Sequence, residues 1–106
     1  MTHKNLSSLA RSLPQAWRSI TTAHIGNAKL KILKMDACPH EAEVHAHDEA
    51  FLVLEGSLHL LIGNERSVLR RHEFCAIPAG VVHAVLPGSS GCLMIIDAAT
   101  SAASHA

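Results

Sequence analysis

Glu43, His45, His47 and Glu49 stand at every second position of the stretch EVHAHDEAFLVLEG, residues 43–56, which then becomes apolar. Alternate residues of a β-strand face the same side, so these four could share a face. Imidazole and carboxylate are the ligands that divalent Zn, Fe, Mn or Ni accept. His83, just after the turn PAG (residues 78–80) and at the head of an apolar run, is the candidate for a distant ligand that would close the site. The competing reading is a polar strand face in a chain that holds nine histidines. Of the others, His3 and His105 lie near the termini, and His24, His40, His59 and His72 are scattered.

The elements that must position these residues are mostly strands. Leu6, Leu9, Leu13 and Trp17 fall at helical spacing, which predicts a short helix over residues 5–18, broken at Pro14. Trp17 reads as a core anchor for that segment. From Thr21 the pattern alternates, with Leu30 and Ile32 between lysines and a turn at Gly26-Asn27. AFLVLEG reads as a buried strand ended by Gly56. SLHLLIGNERSVL reads as a hairpin around Gly63-Asn64. Two short strands flank Pro78-Ala79-Gly80, and GCLMIIDA is a last apolar strand. The inner faces of AFLVL and CLMIID are expected to wall an apolar pocket. Many short strands between turn signals, with almost no helix after residue 20, predict an all-β sandwich or barrel. The expected organisation is an N-terminal helical segment (1–20), one β-barrel domain (21–98) and a frayed tail (99–106).

These residues resemble the cupins. The first cupin motif runs glycine, five residues, His-x-His, three or four residues, Glu, six residues, Gly; Glu49 and Gly56 match its end. The second runs glycine, five residues, Pro-x-Gly, two residues, His, three residues, Asn; Pro78, Gly80 and His83 match its heart. Without a gap, the motif's two histidines fall on Glu43 and His45, its leading glycine on Ala37. The alternative keeps His45 and His47 as the pair and leaves only Asp48 before Glu49. That is too little chain for an ordinary turn, so Ala46, His47 and Asp48 are expected to form the turn. In the second motif His72 replaces the glycine and Pro87 the asparagine. His72 must tolerate an unusual backbone conformation, or the turn has changed shape.

The resemblance implies a cupin-type jelly-roll β-barrel of two antiparallel sheets with a short N-terminal helical segment. It implies a divalent ion, Fe, Mn, Ni or Zn, held by His45, Glu49 and His83, with Glu43 or His47 completing the set. Similar proteins carry out dioxygenase, isomerase, decarboxylase or epimerase chemistry, while some cupin domains bind a ligand to regulate another protein. A metal-dependent enzyme, a metal-free binding or sensing module and a structural homodimer are therefore all compatible with the chain. A homodimer and a small-molecule ligand are the expected partners.

Bulk properties narrow the field. A length of 106 residues fits one domain. Nine basic against nine acidic residues leave no positive excess for nucleic acid, and 3% aromatics leave few rings for stacking on bases or sugars. No run is long and apolar enough for a membrane span, and the N-terminus lacks a signal peptide's apolar core; a cytoplasmic protein is expected. Cys38, Cys75 and Cys92 form no CxxC pair and are expected as free thiols, Cys75 and Cys92 buried in strands and Cys38 more exposed. Arg66, Arg70 and Arg71 read as a solvated face, with one of them gripping a substrate carboxylate as the alternative.

Overall fold

The computed structural model describes residues 3–98; the tail expected at 99–106, with His105, lies outside the described residues. Among the described residues one helix, α1 (Leu6–Arg11), precedes eight strands: β1 (Ile20–Ile25), β2 (Ala28–Met35), β3 (His40–Glu43), β4 (Glu49–Ile62), β5 (Glu65–Arg70), β6 (Phe74–Ile77), β7 (His83–Val85) and β8 (Ser90–Ala98). All pairings are antiparallel.

β4 holds the two faces of the jelly roll together. Its first half pairs with β8 on one side and β6 on the other, while its second half pairs with β5 and β7. Burial along it changes phase accordingly. Glu49, Phe51 and Val53 point inward, then Leu58 and Leu60 do. A side-chain period of two permits such a change only where one residue is slipped. The slip lies between Val53 and Glu55, where the register with β8 shifts.

Gly56 therefore does not end the strand, as the sequence suggested; the chain passes through it. It has φ +79° and faces Gly91, φ +102°, across β4 and β8. A Cβ on Gly56 would overlap the carbonyl of Ser90, and one on Gly91 the carbonyl of Glu55. Only glycine fits either place.

The main core, with Leu33, Val53, Leu58, Leu60 and Leu93 at its centre, fills the space between the faces. A second cluster of Ala10, Ile32 and Cys92 lies under α1. The helix is shorter than expected. Asn5 caps it by accepting from the Ser8 N–H at 2.9 Å, and it stops at Arg11 with Ser12 as C-cap, so its apolar spacing is used for only one and a half turns. Arg11 pairs with Glu55 and pins it to the sheet.

The hairpin turns at Gly26-Asn27 and Gly63-Asn64 fall where expected, joining β1 to β2 and β4 to β5. His72 does adopt the left-handed conformation, φ 71°, with its N–H donating to the Val53 carbonyl at 2.7 Å. Cys38 is exposed, Cys75 half-buried and Cys92 buried, and all three are free. Arg66, Arg70 and Arg71 are exposed.

Candidate metal centre

Four of the five residues singled out by pattern converge. Glu49 opens β4, buried to 8% exposure, and His83 opens β7, buried to 4%. Glu43, at the end of β3, is the register partner of His83. His45 follows in the turn that joins β3 to β4. That turn is stitched to the neighbouring Pro78-Ala79-Gly80 turn: Gly80 N–H donates to the His45 carbonyl at 2.9 Å, and Ala79 N–H to Asp48 Oδ1 at 3.0 Å. These bonds fix the loop that presents the His45 ring.

The distances are short. His83 Nε2 lies 3.2 Å from Glu49 Oε1, His45 Nε2 lies 3.8 Å from Glu49 Oε1 and 3.6 Å from Glu43 Oε1. Glu43, His45 and His83 each offer a ligand atom within 4.8 Å of the others. Two atoms bound to one ion at about 2.1 Å can be no more than about 4.2 Å apart. The separations of 3.2, 3.6 and 3.8 Å lie inside that limit.

The ring of His83 is orientated for a cation. Its Nδ1 is 3.1 Å from the Val81 carbonyl, which can only accept, so Nδ1 carries the proton. Nε2 then faces Glu49 Oε1. Both atoms are buried and, among the described residues, neither has a hydrogen-bond partner. Buried polar atoms without partners are costly, and a cation held by both would satisfy them.

His47 is turned elsewhere. Its Nε2 is 3.7 Å from Asp97 Oδ1, and its ring stacks on His45 with centroids 5.2 Å apart. Asp97, on β8, is the register partner of Glu49. Burial, then a hydrogen bond with Asp97 and its charge, push the Glu49 carboxyl up from its usual value, against the pull of His45 and His83. Burial also pushes Asp97 up, but its bonds to Lys31 and Glu49 and the charges of Lys31 and His47 outweigh this and hold it below the usual range.

These groups line a cavity of about 280 Å³. Phe51, Leu58, Leu93 and Ile95 form its apolar wall, much as the strand pattern suggested. Met94 does not join them; it packs on the opposite side, under α1. Trp17, Lys31, His40 and Asp97 line the cavity too, and pattern alone did not reveal them. Trp17 packs against the core as expected, but also borders the cavity. It is held at φ 65°, its N–H donating to the Lys34 carbonyl and its Nε1 to Asp36 Oδ1, both at 2.8 Å, with its ring 4.6 Å from that of His40. No arginine lines the cavity among the described residues.

Fold and site together define a jelly-roll protein with an imidazole–carboxylate cluster inside. The family model described as Cupin domain matches residues 32–97, and the chain belongs to that family. It is similar to a cupin-2 domain containing protein from Shewanella frigidimarina, at 26% identity and TM-score 0.81, over 90% of this chain and 93% of that one. It is also similar to the TT1209 protein from Thermus thermophilus, at 26% identity and TM-score 0.74, over 93% and 98%. A cupin superfamily protein from Desulfitobacterium hafniense shares the fold at 15% identity and TM-score 0.74, over 93% and 94%. No curated protein matches this chain.

Proposed function

We propose that the protein binds a divalent metal ion through His45, Glu49, His83 and Glu43, and that the cavity beside it takes a small molecule on which the centre acts. The observation that carries this reading is the buried pair His83 Nε2 and Glu49 Oε1, two potential ligand atoms 3.2 Å apart and, among the described residues, without hydrogen-bond partners. A bound ion would supply Lewis acidity, or a point where substrate and a co-reactant meet. The chain's own residues do the rest. Val81 fixes the tautomer of His83, and the Gly80 and Ala79 N–H groups hold the loop of His45. Glu43, the most exposed of the four at the cavity rim, is placed either to complete the ligand set or to move a proton. The apolar wall of Phe51, Leu93 and Ile95 excludes water from the buried side.

Elemental analysis of untagged protein tests this, beside His45→Ala and His83→Ala. Near-stoichiometric Fe, Mn, Ni or Zn in the parent, lost in both variants, is the expected result. A parent that takes up none of these ions on reconstitution overturns it and leaves a metal-free binding or structural protein.

A homodimer is a compatible second element of the proposal. Among the described residues the edge strand β1 pairs only with β2, and it exposes Ile20 and Ile25. An unpaired edge with apolar side chains is a ready surface for a second copy. Light scattering on the purified chain decides it.

A further inference from the structure

The charged groups around the cavity do not match an anionic ligand. Glu43, Glu49 and Asp97 all border it, while Lys31 is the only lysine or arginine among the described residues that do. That one cation is already taken: Lys31 Nζ pairs with Asp97 Oδ2, and both side chains are mostly buried, 23% and 14% exposed. The pairing follows from the sheet. β8 lies between β2 and β4, with Lys31 opposite Ile95 and Asp97 opposite Glu49. A metal ion would do no more than balance Glu43 and Glu49. The remaining wall joins the imidazoles of His40, His45, His47 and His83 at one end to the apolar side chains on β4 and β8, and about 280 Å³ equals roughly nine water volumes of about 30 Å³.

We propose that the cavity takes a small uncharged molecule with an apolar body, and that Asp97 sets this preference by tying up Lys31. The proposal deepens the function proposed above and rests on it only for the premise that this cavity is the working site. Asp97 is a specificity-determining residue that acts through Lys31. Removing its charge frees an ammonium group in the wall, and an anion then has a partner where it had none.

Benzamide and benzoate test this: they match in size and differ by one charge. The chain's single tryptophan, Trp17, borders the cavity, so its emission reports occupancy beside calorimetry. The titrations use metal-free protein at mildly alkaline pH. The parent is expected to prefer benzamide by about tenfold. Asp97→Asn should abolish or reverse the preference. Adding Lys31→Met to Asp97→Asn should restore it, an effect that a merely structural role for Asp97 would not give. Lys31→Met alone should widen it, and serves if Asp97→Asn fails to fold.

Benzoate binding as tightly as benzamide to the parent, no binding of either, or a preference unchanged in folded Asp97→Asn overturns the proposal. Since metal is absent, a preference that behaves as stated in a chain shown to take up no ion sinks the metal reading and leaves this one standing.

Discussion

Glu49 and Asp97 stand directly opposite one another across β4 and β8, a buried and a partly buried carboxyl group beside the imidazole of His83. Like charges in register destabilise a sheet. The conflict has a signed consequence for pH. Burial and Asp97 raise Glu49 above its usual value of 4.5, so the native state holds a proton that the unfolded chain has released. Stability contributed by that proton is present below the usual pKa and declines as pH rises toward the raised one. Asp97 runs the other way: its depressed pKa contributes stability that is lost only as pH falls through the acid range. Metal-free Glu49→Gln is therefore expected to melt higher than the parent at neutral pH, with the gap narrowing as pH falls through the raised pKa and closed by the time it reaches 4.5. Thermal unfolding across pH, with both proteins in chelator, checks it; a gap that does not narrow in acid would contradict the sign.

Metal should invert that ranking. An ion that binds only the native state stabilises by about 2.7 kcal/mol at one hundred times its dissociation constant. The parent is expected to gain stability on titration with Zn or Mn, and Glu49→Gln and His83→Ala to gain little. Denaturant melts with and without the ion measure this.

The paired glycines give a prediction about folding alone. Gly56→Ala and Gly91→Ala each drive a Cβ into the facing backbone at a positive φ, and a loss of about 3 kcal/mol or more, or failure to fold, is expected. Gly26 also has a positive φ, +57°, but open space around it. Its alanine variant should lose only about 1 kcal/mol. Equal losses at Gly26 and Gly56 in denaturant unfolding would contradict the steric account.

Asp36 anchors the cavity rim. Its Oδ1 accepts from Trp17 Nε1 and from the Cys38 N–H at 3.0 Å, and these two bonds, the Cys38 bond first, hold its carboxyl below the usual range. Asp36→Ala should loosen the indole and shift its emission to the red, without unfolding the barrel. The parent should show the same red shift only as acid titrates Asp36 below its usual value of 3.8. Fluorescence spectra of the two proteins across pH decide it.

Much of the site was legible because its residues occupy fixed places along the chain. Glu49 and Gly56, and Pro78, Gly80 and His83, match the motif spacings residue for residue, and the three-residue turn 46–48 selected Glu43 and His45 over His47. What escaped has no local signature. In sequence Lys31 reads only as a lysine beside Ile32, and Asp97 only as one residue of the strand GCLMIIDA. Only the pairing of β8 between β2 and β4 brings them together. Trp17 fell within helical spacing, but the helix ends at Arg11 and the backbone turns left-handed at Trp17, aiming its ring along the cavity rim. The path of β4 through Gly56 was hidden likewise, because a glycine at a strand end and a glycine at a close approach look the same in one dimension.

The sharing of β4 by both faces also bears on kinetics. Its partners come from later parts of the chain, so it gains little until β5, β6, β7 and β8 have found their register. Such non-local closure is slow. Glu43, His45 and Glu49 are near neighbours in sequence and could meet early. His83 arrives only when β7 docks against β3 and β4. Before then an ion meets at most an open half-site. Capture of the ion during refolding would thus follow the docking of β7 and act as a clock for the last stage of assembly.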